Sequence, residues 1–129
     1  YFTIGTHGWD HNHPVLGDAG FDGMSLGSFF DVNTLGRAEY QLRQSIDYIN
    51  RKIKPARCRF FAYPYGHVPD YLRINYLPGN SAALGLQAAF GTQAGCINSN
   101  SDIWNLPRYV CGWHWKSSDE LQAILVESQ

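Results

Sequence analysis

Three of the five histidines in this 129-residue chain lie within one short segment, THGWDHNHP, which runs from Thr6 to Pro14. His7 and His11 are four residues apart. In a helical turn this spacing places two imidazoles on one face, where both reach a single cation. Two ring nitrogens and a carboxylate suit zinc or another divalent transition metal. The alternative is a pair of exposed helix histidines that bind no metal.

The neighbours of these two histidines also allow two interpretations each. Asp10 is either a third metal ligand or a carboxylate that orients an imidazole, and otherwise it is an ordinary turn or cap residue. His13 is ambiguous in the same way. Trp9 belongs either to the wall of a ligand-binding cleft or to the core.

A second candidate site lies further along the chain, in the segment FFAYPYG. Pro64 fixes its own φ angle, and Gly66 allows the backbone to approach a ligand closely. Such a rigid strand end can aim the backbone N–H of Tyr65 at a developing oxyanion. The alternative is a tight turn that packs Tyr63 and Tyr65.

A third candidate is the segment NLPR, which ends at Arg108. The guanidinium group of Arg108 carries a planar fork of donors that can orient a carboxylate. The alternative is an ordinary surface arginine.

The overall composition excludes several classes of protein. The chain is 44% hydrophobic and 15% aromatic, which excludes disorder, and its net charge of −1 gives no field for nucleic acid. No apolar run is long enough for a transmembrane helix. Cys58, Cys96 and Cys111 form no CxxC pair, which argues against a thiolate zinc site.

The clearest predicted helix begins at Asn33 or Thr34, either of which can cap it, and ends before Pro55. Its apolar residues recur at spacings of three and four and so form one stripe that faces a core: Leu35, Ala38, Leu42, Ile46, Ile49 and Ile53. The preceding residues, 6–32, are predicted to form a long loop.

Four short apolar segments are predicted strands, at residues 2–5, 59–63, 87–92 and 109–111. Short helices are expected at 70–77 and 81–86, separated by the sequence PGN. A last helix begins at Ser117, where Ser117 and Glu120 form a capping box. This alternation predicts a single α/β domain with mainly parallel strands, which carries its site at the carboxyl ends of the strands.

In this order, the segments resemble the polysaccharide deacetylases, the NodB-homology group of carbohydrate esterase family four. The sequence IGTHGWDH is similar to the histidine motif of that family. LRQSIDYINRKIKPARCRFFAYPYG resembles the helix and strand that lead to its F-A-Y-P-Y-G motif. LQAAFGTQAG resembles a later strand, and LPR resembles the arginine segment.

The resemblance implies a distorted (β/α) barrel that removes N-acetyl groups from an amino-sugar polysaccharide. It implies a metal, usually zinc, held by His7, His11 and an aspartate. Tyr65 corresponds to the backbone oxyanion donor and Arg108 to the residue that orients the catalytic base, while His114 is assigned as the general acid. The residues expected to line the substrate groove are Trp9, Tyr63, Pro64 and Trp113.

The chain also departs from the family pattern. The T-F-D-D motif that supplies the base and the metal-binding aspartate lies upstream of the histidines in the family, and this sequence has no counterpart to it. Where some branches have an arginine before the proline, this chain has Ala62 or Tyr63. His114, in GWHW, is the only late histidine, and no L-x-H motif surrounds it. Residues 1–129 are therefore expected to be an N-terminally truncated domain with the first strand missing, which binds metal weakly and turns over little substrate.

Two alternatives stay open at this stage. One is a non-catalytic sugar-binding or scaffold module with a degenerate site. The other is a different metal hydrolase that acts on a small amide. The expected partner is an N-acetylated polysaccharide or oligosaccharide, with no nucleic acid and no membrane span. The expected location is the cell envelope or the exterior, with the cytoplasm as the alternative.

Overall fold

A small parallel sheet lies at the centre of the fold in a computed structural model, which describes residues 3–11 and 28–127. Strand β1, Phe60–Ala62, pairs in parallel with β2, Ala88–Phe90, and Phe61 lies opposite Ala89. Single parallel bridges extend the pairing on both sides, from Thr6 to Phe61 and from Phe90 to Leu106. The predicted mixed α/β architecture with parallel pairing is confirmed.

The N-terminal pairing is shorter than the predicted strand at 2–5. Residues 1 and 2 lie outside the described part, and residues 3–5 are not in a strand. The pairing begins at Thr6, whose N–H donates to Phe60 O at 2.8 Å and whose carbonyl accepts from Ala62 N at 2.9 Å. The chain therefore joins the sheet immediately before His7.

The predicted strand at 109–111 is wrong, because the pairing lies earlier, at Leu106. Leu106 N donates to Ala89 O at 2.8 Å, and Arg108 N donates to Gln93 O at 2.9 Å. Pro107 has no N–H, and it occupies the intervening position of this edge segment, where no donor is needed. Cys111 instead forms a bridge to Trp115.

The first long helix begins where predicted, because the Thr34 side chain accepts a hydrogen bond from Arg37 N. It consists of an α-helical turn, Leu35–Ala38, a π-helical turn, Glu39–Arg43, and an α-helix, Gln44–Lys52. The expected burial of Leu35 is wrong, since that residue is 58% exposed. The π-helical turn changes the number of residues per turn, so Leu35 falls out of register with the buried residues that follow.

The second helix is continuous, although two short helices separated by PGN were expected. A π-helical segment, Tyr71–Tyr76, passes directly into an α-helix, Leu77–Leu84, and Gly85 ends it in the left-handed conformation. In a regular α-helix, Pro78 would lack one hydrogen bond and its ring would clash with the carbonyl four residues earlier. The wider π-helical turn before Pro78 shifts that carbonyl and so accommodates the ring.

The last helix, Ser118–Glu127, begins at the predicted cap. Glu120 N donates to Ser117 Oγ at 3.2 Å, and the Glu120 carboxylate accepts from Lys116 N at 2.5 Å. The predicted apolar face is not buried, because Leu125 is 58% exposed. This helix therefore adds little to the core.

The core lies between the sheet and the two long helices. Phe29, in a short 3-10 turn at Phe29–Asp31, is fully buried although it falls within the predicted loop. Within residues 3–11 and 28–127, no helix has the length and apolarity needed to cross a membrane. The other large side chains of the core are Leu42, Ile46, Phe61, Tyr63, Leu72, Tyr76, Leu77, Leu84 and Leu86.

Candidate functional site

His7 lies directly after the sheet residue Thr6 and is anchored to the FAYPYG segment. Its Nδ1 lies 2.7 Å from the backbone carbonyl of Ala62. A carbonyl only accepts hydrogen bonds, so in the neutral His7 ring Nδ1 carries the proton and Nε2 keeps its lone pair. Histidines that bind metals commonly donate their other ring N–H to a backbone carbonyl in this way.

The ring of His11 meets the rings of His7 and Tyr65. The centroids of the His7 and His11 rings are 4.5 Å apart, and those of His11 and Tyr65 are 4.9 Å apart. The expected helical turn is wrong, because residues 9–11 form a bend and a turn. Gly8, with φ of 88°, and His11, with φ of 63°, are both left-handed, and they bend the chain so that the two rings converge.

The separation of the two imidazole rings fits a shared metal ion. Two imidazole rings that bind the same ion, each through a bond of about 2.0–2.1 Å, have their centroids roughly 5 Å apart. No group of three His, Cys, Asp or Glu side chains that could hold a metal occurs among residues 3–11 and 28–127. His7 and His11 are therefore a pair of candidate ligands that needs a further ligand.

Asp10 is hydrogen-bonded to Gln41, a buried residue of the first long helix. Gln41 Oε1 accepts from the backbone N–H groups of Trp9, at 3.0 Å, and Asp10, at 3.4 Å. Gln41 Nε2 donates to the Asp10 carboxylate. Because Gln41 is only 1% exposed, these bonds fix the loop that carries His11. His13 lies outside the described residues.

Gln41 and Ser45 are site residues that were not predicted from the sequence. They are four residues apart on the buried face of the first long helix, and Ser45 Oγ lies 2.5 Å from Thr6 Oγ1. The signal was present, since Gln41 and Ser45 directly precede the apolar stripe residues Leu42 and Ile46. Polar residues that turn inward beside such a stripe indicate a polar partner in the core.

Replacing Gln41 by leucine is expected to weaken zinc binding by roughly 10–100-fold, the usual cost of losing a group that orients metal ligands. The leucine fills a similar volume but leaves the Trp9 N–H unpaired, so stability falls by about 1–3 kcal/mol. Gln44→Leu is the matched control, because Gln44 is exposed on the same helix. Zinc titration and urea unfolding measure both effects. Unchanged zinc affinity in a folded Gln41→Leu protein would show that Gln41 does not position the histidines.

Tyr65 lies in a short 3-10 turn, Pro64–Gly66, and adopts a left-handed conformation with φ of 58°. Such strain in a residue other than glycine is typical of functional sites. Among the described residues, no hydrogen bond uses the Tyr65 backbone N–H. Burial, and then the charge of Asp10, raise the pKa of the Tyr65 hydroxyl, so that group stays protonated near neutral pH. The backbone N–H of Tyr65 is thus available to an acceptor.

Gly66 allows a close approach of the backbone to Thr92. A Cβ atom on Gly66 would lie 2.1 Å from Thr92 Oγ1, and the φ of Gly66 is 71°. Gly66 also lines the groove that His7 lines, so the expectation that it makes room for a ligand stays a prediction. Its role is to let the Tyr65 turn pack against the segment that follows β2.

An open groove of about 480 Å³ brings several predicted residues together, among them His7, Tyr65, Arg108 and Trp113. Trp113 is 66% exposed, so its ring is accessible to a ligand. Arg108 Nε is buried without a hydrogen-bond partner among the described residues, and burial lowers the pKa of the guanidinium group. Arg108 therefore offers an unsatisfied donor at the groove that His7 lines.

Tyr63 and Pro64 are buried residues next to this groove. Tyr63 lines the groove but is fully buried, and its hydroxyl donates to Trp104 O at 2.8 Å. Burial raises the pKa of Tyr63, so the phenol stays protonated. Pro64 is also buried, as the first residue of the turn that holds Tyr65. Of these two residues, the structure places Tyr63 in the lining of the groove.

Trp9 and His114 have other neighbours. Trp9 packs its ring edge against Tyr48 of the first long helix, with centroids 5.9 Å apart. His114 stacks on Trp113 at 4.9 Å, and its Nδ1 accepts from Val110 N at 2.8 Å. A nitrogen that accepts a backbone N–H carries no proton, so the proton of neutral His114 lies on Nε2.

The chain was compared with models of protein families, with curated proteins and with solved structures. None of the three comparisons found a match. Membership of the deacetylase family, and the barrel that it implies, therefore stay predictions from the sequence motifs.

Proposed function

We propose that this chain belongs to a metal-dependent hydrolase that removes N-acetyl groups from an amino-sugar polysaccharide. One observation carries the proposal: the rings of His7, His11 and Tyr65 meet in succession, 4.5 Å and 4.9 Å apart, beside the backbone N–H of Tyr65, which donates to no other described residue. A pair of metal ligands next to an oxyanion donor is the arrangement that amide hydrolysis requires.

In this proposal, the residues of the site hold the metal, donate to the oxyanion and orient the base. His7 and His11 hold the metal, preferably zinc, and Ala62 O keeps the His7 ring in the tautomer that leaves Nε2 free. When bound, the metal polarises the acetamide carbonyl and lowers the pKa of a coordinated water. The Tyr65 N–H donates to the oxygen on which negative charge develops. Arg108 directs its donors at the carboxylate that acts as the base.

Two further features support a polysaccharide as the substrate and a barrel as the complete fold. The groove is open to solvent, and Trp113 presents an exposed ring on which a sugar can stack. The segments at Thr6, β1, β2 and Leu106 are paired in parallel and in chain order, as neighbouring strands of a (β/α) barrel are. An enzyme that acts on such polymers is expected in the cell envelope or outside the cell.

A non-catalytic sugar-binding module is the second candidate. The observation that favours it is the exposed Trp113, which lies in the groove together with Tyr109 and can bind a sugar without a metal. The two candidates respond differently to removal of the metal. The hydrolase then stops removing acetyl groups, whereas the sugar-binding module still binds the sugar.

Acetate release distinguishes these functions. The substrates are N-acetylated chitooligosaccharides, peptidoglycan fragments and poly-N-acetylglucosamine, each incubated with zinc and with a chelator. Protein that includes the carboxylate base together with His7 and His11 is expected to release acetate from at least one of them, and the chelator is expected to abolish the release. Saturable sugar binding with no acetate release would replace the hydrolase by the sugar-binding module.

A further inference from the structure

Half of the cations of this chain lie in one segment that the site above does not use. Five of the ten Lys and Arg residues fall between residues 51 and 59, and no Asp or Glu occurs between Asp47 and Asp70. All five are exposed, and neither ion pair of the described residues involves them. These residues, called the basic segment, are Arg51, Lys52, Lys54, Arg57 and Arg59.

Part of the basic segment lines a groove at the other end of the sheet. Arg59 immediately precedes β1, and its carbonyl accepts from Gln87 N, before β2, at 2.7 Å. His7 follows the sheet residue Thr6, and the strands are parallel, so the groove and the histidines lie at opposite ends. A depression of about 430 Å³ and a second of about 330 Å³ share Arg57, Arg59 and Gln87 in their linings.

Two arginines line both depressions. Arg57 and Arg59 flank the buried Cys58, and each of them lines the first depression and the second. Asn50 also lines the groove, and its Oδ1 accepts from Cys58 N at 2.8 Å. The amide NH₂ of Asn50 therefore remains as a third donor. Among the described residues that line the two depressions, Asp47 supplies the only carboxylate.

We propose that this groove, at Arg57, Arg59 and Asn50, binds a phosphate group, carried by a small organic molecule or present as the free anion. Two guanidinium forks match phosphate oxygens in geometry and charge, and an amide NH₂ completes the contact. The volume is that of a small-molecule site. The concave shape favours a soluble phosphate over the flat surface of an anionic membrane. This site is independent of the histidines and of the proposed hydrolase.

Calorimetric titration of the chain with inorganic phosphate and with glycerol 3-phosphate tests the proposal, at an ionic strength of about 0.15 M to screen diffuse attraction. The double variant Arg57→Gln/Arg59→Gln is expected to weaken binding by about tenfold or more, the usual effect of losing charged hydrogen bonds. Lys52→Gln/Lys54→Gln removes the same charge outside the groove and is expected to leave binding unchanged. Asn50→Asp keeps the acceptor for Cys58 N but loses the donor, so it also weakens binding.

The other outcomes either identify the ligand or overturn the proposed phosphate site. Tighter binding of glycerol 3-phosphate identifies an organic phosphate as the ligand, and equal binding identifies the free anion. Equal losses in the two double variants would overturn the site in favour of diffuse attraction. Binding to vesicles of phosphatidylglycerol in phosphatidylcholine, with no saturable binding of either soluble phosphate, would overturn it in favour of a membrane surface. Circular dichroism of all variants verifies that they are folded.

Discussion

Zinc affinity is expected to fall by more than about a hundredfold when either His7 or His11 is replaced by alanine. This loss is larger than the roughly 10–100-fold loss that follows removal of a group that only orients a metal ligand. The two rings lie 4.5 Å apart, and they are the candidate ligands that the structure brings together among the described residues. With one ring removed, a single imidazole holds the ion no better than a surface histidine does. Zinc titration with a competing chelator measures the effect.

Two variants separate the loss of a ligand from the loss of structure. His7→Asn places an amide N–H where Nδ1 donates to Ala62 O, so it keeps the anchor and removes only Nε2. It is expected to unfold as the wild type does and to lose zinc. His114→Ala removes a histidine that stacks on Trp113 and is expected to retain zinc. Full zinc affinity in both His7→Ala and His11→Ala would refute the metal site.

Gly66→Ala is expected to destabilise the fold by about 2–5 kcal/mol, as the sum of left-handed strain and overpacking. A Cβ atom there would lie 2.1 Å from Thr92 Oγ1, and φ is 71°. Since Gly66 follows Tyr65, any shift that relieves the contact moves the backbone N–H that we propose as the oxyanion donor. Urea unfolding measures the loss of stability.

Comparison with other glycine variants separates the two causes. Gly36→Ala is the control, because a Cβ atom on Gly36 meets nothing within 4 Å, and it is expected to be neutral or stabilising. Gly66→Ala/Thr92→Gly removes the overlapping side chain and is expected to recover the part of the loss due to contact, while the strain remains. A Gly66→Ala protein as stable as the wild type would contradict this account.

The elements that depend on local chemistry could be predicted from the sequence. Thr34 and Ser117 cap their helices as expected, because a side-chain oxygen before an amphipathic run satisfies free backbone N–H groups wherever the helix packs. The two long helices could not be predicted in detail, because their π-helical turns arise from packing and from the ring of Pro78.

The candidate site shows the same division. Residue types and spacing singled out His7, His11 and Tyr65, since few other patterns place ring nitrogens beside a rigid turn. The route by which the rings converge was not predictable, because it depends on the left-handed conformation of Gly8 and on the bonds of Gln41 to the loop. Those contacts join residues that are distant in sequence, and no local pattern specifies them.

X-ray absorption spectroscopy of the zinc-loaded chain tests the central claim, the convergence of His7 and His11 on one ion, most directly. We expect two imidazole nitrogens at about 2.0–2.1 Å from zinc, with the multiple scattering of intact rings, and the loss of one ring in each single histidine variant. Sulfur ligands at about 2.3 Å, or a shell without imidazole, would contradict it.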